Sequence, residues 1–270
     1  MVQRSWLVYR HPLVLRIMHW VNVLSLTILL GSGLQIFNAH PSLSWGNTNT
    51  PEGTWLSLDA TRTPAGTLSG TTTLFGHTVK TDGVLGASKV DGEHVARGFP
   101  SWATIPGPGW LAMGRRWHFF FAWVFVINGL AYLTWALVTK HLQRDLVPTR
   151  HDWRSFGASV WDHLRLRRET GMAATRYNVL QRLAYLSLVI AAIGIALMGM
   201  AMSPRLDAAV PWLVEMVGGR QSARSIHFLL ACFLVAFVAV HLFEVLVNGV
   251  FNQVRSITTG YFKVTERDDD

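Results

Sequence analysis

Four histidines in apolar surroundings carry most of the chemistry this sequence offers. His227 and His241 stand fourteen residues apart in SIHFLLACFLVAFVAVHLFEV, residues 225–245. On an α-helix fourteen steps turn through about 1400°, some 40° short of four turns, so both side chains share one face about 21 Å apart. His19 lies in RIMHW and His118 in RRWHFFF. A neutral imidazole offers one nitrogen lone pair to a transition metal and one N–H to a hydrogen-bond acceptor. A lone histidine among apolar residues has a plainer use, a hydrogen bond between neighbouring helices. The pattern of all four decides between the two, and that pattern depends on the elements that hold them.

Half of the 270 residues are hydrophobic, 15% are charged, and mean hydropathy is +0.27. A soluble domain carries about a quarter charged residues. Here the apolar residues gather into four runs, near 13–37, 116–140, 177–202 and 223–251. Each is long enough to cross about 30 Å of hydrocarbon, which takes roughly 20 helical residues. No alternation of barrel type is present, so helices must satisfy the backbone in lipid. The fold class expected is an all-α integral membrane protein, a single domain over 1–270 with a four-helix bundle and a long loop on one side. The first run lacks a small-residue cleavage site and is expected to stay as a helix. The one cysteine, Cys232, excludes an intrachain disulfide, CxxCH haem attachment and cysteine-ligated clusters.

The loop 141–176 has 36 residues and seven arginines, whereas 38–115 has 78 residues with five Lys/Arg. Arg4, Arg10 and Arg16 precede or open the first run. The positive-inside rule then puts both termini and 141–176 in the cytoplasm and 38–115 outside. The net charge of +8 is read this way rather than as a nucleic-acid surface. In HDWRSFGASVWDHLRLRR, Trp153, Phe156, Val160 and Leu164 recur at helical spacing among arginines. Both a short amphipathic helix on the membrane surface and a solvated basic loop fit this pattern. The Gly- and Thr-rich outer loop contains TWLSLDA and TTLFGHTVK, which suit hairpins. Its large apolar residues are too few for an independent core.

With that topology the histidines sort by depth. His19 and His241 fall toward the cytoplasm, His118 and His227 toward the outside. Four histidines in two levels on three helices suit two bis-histidine b-type haems held between facing helices. Gly33, fourteen residues after His19, reaches the outer level on the same face, and Gly129, eleven after His118, lies about one level deeper. A missing side chain lets a flat macrocycle approach the backbone; close helix packing through small residues explains such glycines equally. His11, His40, His77, His94, His141, His151 and His163 lie in loops or at the interface, where solvation is the ordinary state.

RIMHW, RRWHF, RYNVLQRLAY and the H-x13-H of the fourth run resemble the di-haem cytochrome b subunits of membrane-bound nickel–iron hydrogenases, formate dehydrogenase-N and thiosulfate reductase, with bacterial cytochrome b561 proteins as relatives. The likeness covers all four helices and leaves out the outer loop. It implies a four-helix bundle, two haem b groups in its core, an inner-membrane location, and electron transfer between a periplasmic redox subunit and quinone. By the same resemblance Asn178 of RYNVLQ matches an asparagine at the quinone pocket of formate dehydrogenase-N, although Leu180 stands where that relative has glycine. Asn178 equally suits a helix cap. Gln181 shares its face. Glu244, one turn past His241, is placed to relay protons or to pair with Arg16 or Arg182.

Outside, Trp102, Ile105, Pro106, Pro108 and Trp110 offer rigid apolar surface for a periplasmic redox partner of hydrogenase or molybdenum type; tryptophan also favours the lipid interface with no partner. Two rival functions remain. One is a stand-alone superoxide–quinone oxidoreductase, with Arg115, Arg116 and Arg224 as its charge. The other is a transporter or assembly protein without redox chemistry.

Overall fold

The computed structural model describes residues 3–267, apart from 49, 65, 108 and 166–176. Four helices are long and apolar enough to cross a membrane: α1 (Leu13–Phe37), α2 (Leu111–Val138), α4 (Val179–Ala201) and α7 (Arg220–Val247). They carry exposed Trp123, Ile127, Leu130, Val240 and Leu246, each more than half accessible. Exposed apolar surface on this scale requires lipid as the solvent. Between the long helices lie α3 (Arg150–Leu164), α5 (Pro204–Ala209) and α6 (Pro211–Met216). The fourth apolar run does not continue to 251. Gly249, at φ +91°, breaks it, and α8 (Val250–Thr259) follows as a separate helix. Only a glycine takes that left-handed backbone at no steric cost.

The all-α expectation needs correction, because three small antiparallel sheets accompany the helices. β1 (Gln3–Tyr9) pairs with β8 (Tyr261–Arg267), residue 3 opposite 267 and residue 9 opposite 261. β2 (Ser42–Ser44), β3 (Thr54–Arg62), β4 (Leu68–Leu74) and β5 (His77–Lys80) form a meander, and β6 (Ala87–Val90) and β7 (Glu93–Ala96) a hairpin. The segment 38–115 is therefore a built β-layer. It borrows its core, as its scarcity of large apolar residues demanded. Leu43, Leu56 and Leu58 bury against Phe37 of α1, with Phe228 of α7 packed beside them. Hydrogen bonds fasten it further. Trp55 Nε1 donates to Ser225 Oγ at 3.0 Å, and Ser225 Oγ donates to the Ser44 carbonyl at 2.7 Å.

The chain divides into two compact units. One contains 1–22, 127–193 and 232–270; the other contains 23–126 and 194–231. Each long helix contributes to both. His19 and His241 belong to the first unit, His118 and His227 to the second.

α3 forms as an amphipathic helix, opened by a reciprocal cap in which Thr149 N donates to Asp152 Oδ2 and Asp152 N to Thr149 Oγ1. Its Trp153, Phe156 and Trp161 are exposed. Arg167, Arg168 and Arg176 of the basic loop lie outside the described residues.

Candidate cofactor site

In the first unit, His19 of α1 and His241 of α7 face each other with ring centroids 6.3 Å apart and planes at 63°. In the second, His118 of α2 and His227 of α7 repeat the arrangement at 6.3 Å and 60°. The separation has a chemical meaning. An imidazole nitrogen sits about 2 Å from a transition metal and roughly 1 Å from its own ring centre, so two rings on opposite sides of one metal have centres about 6 Å apart. Both pairs hold that distance, too long for a direct hydrogen bond and long enough for a metal that both rings would hold. All four histidines are half-buried.

Proton positions in the His118/His227 pair follow from its partners. His227 Nδ1 lies 2.9 Å from the Ile195 carbonyl, which only accepts, so Nδ1 carries the proton. His118 Nδ1 lies 3.1 Å from Ser32 Oγ. That hydroxyl has one hydrogen and donates it to the Ile28 carbonyl at 2.6 Å. It therefore accepts from His118, and that ring too carries its proton on Nδ1. Each Nε2 is left with a free lone pair, the tautomer a metal requires.

Gly33 lines this pair, since a Cβ there would stand 3.4 Å from His118 Cε1. Gly199 of α4 does the same at 3.5 Å from His227 Cε1. Sequence reasoning missed Gly199, which stands in LMGM, residues 197–200, with nothing in its neighbours to mark it. Ser32, fully buried, was also missed. At Gly129 no protein atom lies within 4 Å of an added Cβ. The space beside it is open, which suits a macrocycle but does not identify one.

Around His241, Phe237 stacks at 6.3 Å and 4°, and Tyr185 and Tyr177 continue the aromatic series. Asn178 caps α4 in a reciprocal box. Gln181 N donates to Asn178 Oδ1 at 2.9 Å, and Asn178 N donates to Gln181 Oε1 at 3.2 Å. The capping alternative is therefore realised, and only the amide NH2 groups stay available to a ligand. Glu244 Oε2 accepts from Asn248 Nδ2 at 3.0 Å. Arg182 turns to Asp152 at 3.7 Å, and Arg16 Nη1 donates to the Thr259 carbonyl.

Two of the peripheral histidines are not simply solvated. His141 Nδ1 meets Asp145 Oδ2 at 2.8 Å and its ring lies 5.0 Å from that of Trp135. His11 is held at a pKa of about 4, first by burial and then by the charge of Arg10. Of the outer apolar set, Trp102 and Trp110 are exposed at 82% and 55%, while Ile105 packs on Gly31 of α1. Pro108 lies outside the described residues.

Residues 10–260 match the family described as prokaryotic cytochrome b561. The chain belongs to that family. It is thus a multi-pass membrane cytochrome b of the b561 type, a haem b-binding electron-transfer protein. A protein of Azospira oryzae, named putative protein-methionine-sulfoxide reductase subunit YedZ1, is 27% identical over 231 residues, 86% of this chain and 87% of its own length. No solved structure matches the chain.

Proposed function

We propose that this cytochrome carries two haem b groups and passes electrons between a redox subunit on its outer face and quinone in the membrane. The observation that carries the reading is the repeated 6.3 Å spacing of two facing histidine pairs. His19 with His241 would hold one haem, and His118 with His227 the other. When bound, each supplies a one-electron couple. The chain's part is to fix the rings. Ser32 and the Ile195 carbonyl lock the Nδ1 protons of the second pair and direct each Nε2 inward. Gly33 and Gly199 keep the approach clear, and Gly129 does so deeper in α2.

Quinone would enter beside His241. Asn178 has its Oδ1 in the cap, so its Nδ2 is the group left to donate to a quinone carbonyl, with Gln181 Nε2 one turn on. Glu244 is the acid nearest this position on α7 and would exchange the protons that quinone chemistry moves. The protein would sit in a bacterial inner membrane with both termini cytoplasmic, where the arginines of its short loop belong. Its similarity to a subunit of a putative methionine-sulfoxide reductase supports a redox enzyme as partner. Exposed Trp102 and Trp110 supply anchors for such a partner on the β-layer side.

The test is haem stoichiometry with single-ligand variants. Two haems per chain are expected by pyridine haemochrome, with one lost in His19→Ala and the other in His118→Ala. A single haem in the wild type, or an unchanged spectrum in either variant, would overturn the pairing. Asn178→Ala is expected to slow reoxidation by a short-chain quinone with both haem spectra intact.

A further inference from the structure

Three arginines of the first unit, Arg10, Arg16 and Arg255, each have a buried Nε without a hydrogen-bond partner. Arg255 is otherwise tied to Asn252 on its own helix. Arg10 and Arg16 are different. Among the described residues neither has an acidic group within ion-pair distance. Arg10 makes only ring contacts, its guanidinium 4.9 Å from the Phe262 ring and 6.0 Å from Tyr177. Arg16 has one bond, Nη1 to the carbonyl of Thr259 at the C-terminal end of α8, 2.9 Å.

The backbone of Arg10 and the side chain of Arg16 meet the same turn at Gly260. Arg10 N and His11 N both donate to the Gly260 carbonyl, at 2.8 and 3.3 Å. Gly260 sits at φ +92°, and any Cβ there would come within 2.9 Å of Arg16 Nη1. The turn between α8 and β8 is thus shaped to let the Arg16 guanidinium through. His11 feels the charge of both and is kept neutral at ordinary pH, first by burial. Both arginines are half-buried, and it is the Nε of each that is shut away from water with no partner among the described residues; a buried donor left unmade is costly, and a ligand oxygen would satisfy it.

Position indicates which charge. Arg16 precedes His19 by three residues, one turn away on the same face of α1. Arg10 lies over Tyr177, whose ring packs 5.2 Å from Tyr185, next in the series that reaches Phe237 and His241. We propose that Arg10 and Arg16 form a receptor for an anionic oxygen group at the His19/His241 site. Its two possible sources are the carboxylate edge of the haem held there and the phosphate of a bound lipid. The haem source rests on the di-haem reading above; the receptor itself does not. Arginine suits the task, since its fork of donors matches a carboxylate or phosphate in a way a lysine does not.

The experiment uses the full-length protein in mild detergent, with Arg10→Gln and Arg16→Gln beside Arg10→Lys and Arg16→Lys. Midpoint potentials of both haems are read by spectroelectrochemical titration, and bound phospholipid by native mass spectrometry. If the haem carboxylates are the ligand, loss of either charge makes the His19/His241 haem harder to reduce, by about tenfold in the one-electron equilibrium, or 59 mV. The lysine variants then stay closer to wild type, and the His118/His227 haem does not move. If a lipid phosphate is the ligand, potentials hold and the glutamine variants lose a co-purifying anionic phospholipid that wild type retains. Either result supports the receptor. Unchanged potentials together with unchanged lipid overturn it. Haem content unchanged in His19→Ala refutes the di-haem reading instead, and leaves the lipid measurement to decide the receptor alone.

Discussion

Ser32→Ala tests the reasoning about the second histidine pair most directly. Ser32 Oγ accepts the Nδ1 proton of His118 at 3.1 Å while giving its own to the Ile28 carbonyl. A hydrogen bond at Nδ1 makes the imidazole a stronger donor to metal, which favours the oxidised state. Removing the acceptor should raise the haem potential. A neutral hydrogen bond is worth about 1 kcal/mol net. If all of it acted on one oxidation state, the rise would be about 40 mV, because 59 mV is a tenfold change for one electron. Local relaxation takes up part of the loss, so about 20–40 mV is expected. Haem retention should weaken by roughly tenfold. The assay is a redox titration of the haem bound by the protein, with Ser25→Ala as control. Ser25 is equally buried on α1, and among the described residues its hydroxyl has no hydrogen-bond partner. A fall in potential, or the same shift in Ser25→Ala, would refute the tautomer argument.

Gly260→Ala forces an L-residue into a left-handed backbone against Tyr9, Arg16 and the His11 carbonyl; about 1–3 kcal/mol of destabilisation is expected, read as a lower thermal midpoint in detergent. Leu43→Ala, at a fully buried position of the β-layer core, should cost about 2–5 kcal/mol of local stability; limited proteolysis should cleave 38–115 faster while haem spectra stay unchanged. His11 gives a pH signature. Its folded pKa of about 4 lies below the ordinary value near 6.5, so between these the unfolded chain binds a proton the folded one refuses. Stability therefore falls as pH drops from about 6.5 toward 4, and His11→Gln should flatten that slope in thermal-shift curves.

The four spans were readable because length and unbroken apolarity are local properties, and the first came out at Leu13–Phe37 as expected. The end of α7 was not. Val250 and Phe251 continue the apolar run past Gly249, so composition alone overrode the one residue that marked the stop. The histidines stood out because imidazole is conspicuous among leucines. Ser32 and Gly199 did not, since buried small residues are common in membrane helices and only geometry distinguishes the two that touch the rings. Asn178 shows both sides of sequence reading, because its type and place fit a cap and a ligand contact alike. The β1–β8 ribbon was beyond reach, since its partners lie more than 250 residues apart and neither strand announces the other.

That ribbon sets an order on biogenesis. β1 leaves the ribosome well before β8 and cannot pair until β8 has been made. At about 5–20 residues per second the wait is roughly 10–50 s. During it Trp6, Leu7, Val8 and Tyr9 form an unpaired edge of the kind that attracts other strands. The anchoring of Arg10 and His11 to Gly260, and of Arg16 to Thr259, must wait as well. One side of the His19 region is thus finished only after α7 has been made, so this part of the fold closes late.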